Sequence, residues 1–94
     1  MPGRVAAYEA YFDAALVDFR TMTTFAMSLA EMGRNVDAER VANRAVTAAP
    51  NNAQAWFILA ASRKALRNAA GAAEARTRCI ALGGQWAAEC RALQ

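Results

Sequence analysis

Ala48-Ala49-Pro50-Asn51-Asn52-Ala53-Gln54-Ala55-Trp56-Phe57-Ile58-Leu59-Ala60 joins two helical segments and decides how the rest of the chain is read. Proline pushes the residue before it out of the α region, so an amphipathic helix must end by Ala49. Asn51 or Asn52 then offers a side-chain oxygen to the unsatisfied N–H groups that open the next helix. That helix begins on Trp56-x-x-Leu59-Ala60, with large and small residues on one face. A joint of this kind predicts similar helix pairs on its two sides.

Outward toward the N-terminus, the helix that Pro50 stops covers about 36–48. It begins after Asn35, with Asp37 and Glu39 in the first turn, where the helix dipole favours acids. Before it, about 19–32 carries Met22, Phe25, Ala26 and Leu29 on one face. Gly33 closes that segment, because glycine enters the left-handed conformation without a Cβ clash. An N-terminal helix over about 4–17 aligns Tyr8, Tyr11, Phe12, Ala15 and Leu16 in a single stripe. On the C-terminal side, helices over about 53–66 and 71–82 end at Gly83-Gly84. A last amphipathic stretch from Gln85 turns Trp86, Cys90 and Leu93 one way.

Composition agrees with helices. Hydrophobic residues make up 56 % of the 94, but 26 of them are alanine, a residue that favours closely packed helices. Proline occurs only as Pro2 and Pro50 and glycine is sparse, which excludes an all-β fold. No apolar run approaches the roughly 20 residues of a membrane-spanning helix. Glu9 stands where a signal peptide needs its apolar region, which favours a cytoplasmic protein or one whose targeting segment has been removed.

Charge is uneven. Residues 1–33 carry Arg4 and Arg20 against Glu9, Asp13, Asp18 and Glu31, whereas 34–94 hold nine basic and four acidic side chains. A basic half attracts acidic partners. Its arginines are spaced singly along helices without interleaved aromatics, so they read first as solvated faces. A basic nucleic-acid-binding helical domain is the less favoured alternative, and it predicts steeply salt-sensitive binding.

Catalytic chemistry is not expected. The chain has no histidine, no Gly-rich phosphate loop and one lysine, Lys64, flanked by Arg63 and Arg67. Asp13 with Asp18, and Asp37 with Glu39, lack a spacing that converges them on one substrate. Two cysteines without histidine supply too few ligands for a metal site. We expect no enzyme, no cofactor and no metal. Cys79 and Cys90 flank Gly83-Gly84 at similar distances, so two antiparallel helices would bring them face to face. They are either two reduced buried thiols or a disulfide, which needs Cα atoms within about 7 Å and points to a periplasmic or secreted protein.

A shift of thirty-four residues superimposes the two halves of the pattern. It pairs Met22 with Trp56, Phe25 with Leu59, Ala26 with Ala60, Ala38 with Ala72, Ala45 with Cys79, Val46 with Ile80 and Pro50 with Gly84. That period with these residues resembles the tetratricopeptide repeat. Trp56, Leu59 and Ala60 match the first-helix signature. Ala26, Ala38, Ala45, Ala72 and Cys79 match the small positions, and Pro50 the closing proline. Departures are Met22 for the tryptophan, Arg63 and Arg76 for aromatics, and Gly84 for a second proline; they suggest that the array ends there.

The resemblance implies an all-α stack of antiparallel helix-turn-helix repeats, a fragment of a right-handed superhelix. It divides the chain into an N-terminal helix or degenerate half-repeat at 1–18, repeats at 19–52 and 53–84, and a capping helix at 85–94. It further implies a protein–protein interaction module, a scaffold or adaptor, with a concave groove for a partner peptide or helix. Carried over by position, that groove is lined by Arg20, Thr23, Met27, Ala30, Gln54, Phe57, Ala61 and Lys64. Thr23 and Met27 stand where the family's carboxylate clamp has lysine and asparagine, so no such clamp is expected. The protein's own N-terminal helix is an alternative occupant. Two repeats with caps are few for an independent array, so homo-oligomerisation within an assembly, with a bacterial source suggested by the Arg and Ala bias, is the second reading.

Overall fold

Turn chemistry sets the helix ends. In the computed structural model, which describes residues 19–93, the chain is all-α and holds no strand among the described residues. The helices are α1 (Phe19–Glu31), α2 (Asn35–Ala48), α3 (Ala53–Ala65), α4 (Ala69–Leu82) and α5 (Gly84–Ala92). The helix expected over 4–17 lies outside the described residues.

Gly33 closes α1 at φ 78°, with Gly33 N–H donating to the Ala30 carbonyl at 3.0 Å and Arg34 N–H to Leu29 at 2.8 Å. α2 stops before Pro50. The Asn52 side chain, rather than that of Asn51, caps α3 by accepting from the Ala55 N–H at 2.9 Å. Two starts differ from expectation. Asn68 accepts from the Gly71 N–H at 3.0 Å, so α4 begins at Ala69 instead of Gly71. α2 includes Asn35 as its first residue, because the Asn35 amide turns back to donate to the Gly33 carbonyl at 3.4 Å instead of capping.

The same hairpin is built twice. α3 and α4 repeat the bounds of α1 and α2 residue for residue, thirty-four positions later. The turn between them repeats as well: Arg67 N–H donates to Lys64 at 3.0 Å and Asn68 N–H to Arg63 at 2.9 Å. These bonds stand at the positions of the Gly33 and Arg34 bonds in the first hairpin.

Each helix packs on the next, α1 on α2, α2 on α3, α3 on α4 and α4 on α5, while α5 also covers α3. Direction alternates. Arg63 near the end of α3 meets Glu39 near the start of α2, and moving from Cys79 back to Arg76 on α4 matches moving from Cys90 forward to Arg91 on α5. Ala26, Ala38, Ala42, Ala45, Ala55 and Ala75 are fully buried, which lets the helices approach until the larger Leu29, Val41, Ile58 and Leu59 fill the spaces between them. Each such large side chain stabilises the fold by about 1.5–3 kcal/mol on burial. The buried hydroxyls of Thr23 and Ser62 donate to the Arg20 and Ile58 carbonyls at 2.9 and 2.8 Å, which removes the cost of leaving them unpaired.

Candidate interaction site

The residues expected to line one groove are distributed over several environments. Arg20 is exposed on α1, and Met27 is half-buried against the core. Thr23 is 3 % exposed, and its hydroxyl donates within its own helix to the Arg20 carbonyl. On α3, Gln54 is half-buried and Lys64 exposed. Phe57 lies against Trp86 of α5, ring centroids 5.1 Å apart. Phe57, Trp86, Gln85 and Glu89 line a cleft of about 380 Å³. Lys64 lines a different cleft; Met27 and Gln54 line neither.

That second cleft, about 500 Å³, is bounded by α3, α4 and the end of α5. Its floor is Ala60, Ala69, Ala72, Ala73 and Leu93, and its rim is Lys64, Arg67 and Arg76. The cation at its far side is held in place, since Arg76 Nε donates to the Cys90 carbonyl at 2.9 Å and Nη2 to Arg91 at 3.3 Å. The second bond also satisfies the Arg91 carbonyl at the C-terminal end of α5.

Cys79 and Cys90 are joined in a disulfide with Cα atoms 6.3 Å apart, and both are fully buried. The bond staples α5 over α4, so the alternative of two reduced thiols is not the state of this structure. Trp56 is half-buried; its Nε1 donates to the Pro50 carbonyl at 2.7 Å, and the Arg78 guanidinium stands 5.6 Å from its ring. Trp56 of α3 thus also ties down the turn that precedes its helix.

Two arginines read from sequence as departures turn out to be ties. Arg63 Nε donates to Glu39 Oε2 at 3.1 Å, and its Nη1 donates to the Gly71 carbonyl at 3.1 Å, which links α2, α3 and α4. Arg76 does the same between α4 and α5. Among the described residues no group of three or more acidic, cysteine or histidine side chains could hold a metal ion, and no helix is long and apolar enough to cross a membrane. No family model matches the chain, and no curated protein or solved structure matches it either.

Proposed function

We propose that this chain is a protein-interaction module built from two tetratricopeptide-like hairpins, a scaffold or adaptor rather than an enzyme. The observation that carries this reading is the recurrence of both helices and their connecting turn at thirty-four residues, with small side chains buried at the crossings. Such a stack creates extended surfaces without gathering reactive groups at one point. The proposed working surface is the groove of Arg20, Met27, Gln54, Phe57 and Lys64, which receives an extended or helical partner segment on its apolar middle and an acidic group at either cationic end. The disulfide supports an oxidising compartment as the setting.

Affinity capture with mass spectrometry, wild type against Met27→Glu/Phe57→Glu, tests the groove. Circular dichroism of the variant checks that α5 survives the loss of the Phe57–Trp86 contact. Partners that disappear in a folded variant support the reading; an unchanged set of partners overturns it.

Self-association is the second reading, and a specific feature favours it. Met32 and Val36, at 64 % and 59 % exposure, stand beside the α1–α2 turn as an apolar pair open to solvent. A dimer in light scattering that Met32→Lys/Val36→Lys converts to monomer supports it, and a monomeric wild type removes it.

A further inference from the structure

Arg67 adopts φ 63°, the left-handed region that costs an L-residue roughly 1–2 kcal/mol by crowding Cβ against the following carbonyl. The equivalent position of the first hairpin holds Gly33, which adopts this conformation freely. The second hairpin therefore carries an arginine where its own partner hairpin shows that glycine serves the turn. That arginine stands on the rim of the 500 Å³ cleft, beside Lys64 and Arg76. The lining residues include three cations and no acid, and among the described residues neither Lys64 nor Arg67 forms an ion pair. Below the cations the floor is alanine and Leu93, the residue that follows α5.

From this placement we infer that the cleft is a docking site for an acidic amphipathic helix of a protein partner. The partner lays its apolar stripe on the alanine floor, alongside Leu93, and sets carboxylates against Lys64, Arg67 and Arg76. Alanine lining suits a helix because it admits a backbone at close approach, and a rim of one sign selects the partner's charge. The inference rests on reading the chain as an interaction module; the cleft shares Lys64 with the Met27–Phe57 groove, and its other lining residues are distinct from it.

The test uses the intact, oxidised full chain and a labelled synthetic helical peptide, with leucines at i, i+3, i+4 and i+7 and glutamates beside them. A second peptide replaces every glutamate by glutamine. Fluorescence anisotropy is expected to show the glutamate peptide binding at least about tenfold more tightly, with the preference lost in Lys64→Glu/Arg67→Glu. Arg67→Gly is expected to weaken binding by about threefold, as for an exposed charge pair, while raising the melting temperature by relieving the turn. Met27→Glu/Phe57→Glu leaves this binding intact, so failure of the groove and failure of the cleft are told apart. Equal binding of the two peptides, absence of binding, or loss only in the Met27/Phe57 variant overturns the inference. Displacement of the peptide by single-stranded RNA at equal charge overturns it too, in favour of a nucleic-acid site.

Discussion

Arg63 of α3 and Glu39 of α2 are joined across the hairpin boundary, Nε to Oε2 at 3.1 Å, with both side chains mostly buried. Because Arg63 also donates to the Gly71 carbonyl, one guanidinium connects three successive helices. Truncating it removes the Glu39 carboxylate's partner and the tie to the Gly71 carbonyl together. Arg63→Met is expected to cost about 2 kcal/mol in urea unfolding. In a double-mutant cycle with Glu39→Gln the two losses should couple by about 1 kcal/mol. Fully additive losses would show that the pair contributes no tie.

Gly71 gives a sharper test of the same corner. In most helices Gly→Ala stabilises by about 1 kcal/mol. Here a Cβ would come 2.5 Å from the Asn68 side-chain nitrogen and 3.0 Å from Arg63 Cδ. It would displace the cap that starts α4, a loss of about 1 kcal/mol. Gly71→Ala is therefore expected to leave the melting temperature unchanged or lower it; a clear rise would contradict the packing described.

Small residues at the helix crossings carry the fold. Ala26→Leu or Ala45→Leu should destabilise by about 1–3 kcal/mol, because the added carbons have no space between the helices. Ala70→Leu, on the exposed side of α4, should stay within about 0.5 kcal/mol. Equal tolerance at both kinds of site would mean that close approach is not what holds the stack.

Reducing the Cys79–Cys90 bond removes a short closed loop at the end of the stack. The expected cost is about 3 kcal/mol, with hydrogen exchange rising first in α5. Unchanged protection of α5 after reduction would show that Arg76 and the Phe57–Trp86 contact suffice to hold it.

Much of the helix layout was legible from the residues that end helices. Pro50, Gly33 and the Gly83-Gly84 pair are physically unable to continue a helix or particularly suited to leaving one, and each stands at a boundary. Asn68 was harder to read, since it lies between Arg67 and two alanines with no breaker beside it; its cap moves the start of α4 back to Ala69. The site was less legible. Arg63 and Arg76 count against a pattern that asks for aromatics, and only the fold shows that their guanidiniums reach acceptors on the neighbouring helices. At Thr23, position on a helix does not reveal a hydroxyl already bonded to the turn behind it. Arg67 did leave a signal, since the thirty-four-residue shift sets it against Gly33.

The most direct measurement is the backbone conformation at the two turns by NMR, from Cα chemical shifts and the three-bond coupling between amide and α protons. Both Gly33 and Arg67 should report left-handed φ, between helical segments whose bounds match thirty-four residues apart. Continuous helix running through Arg67, or a right-handed Arg67, would contradict the doubled hairpin and with it the surfaces built on it.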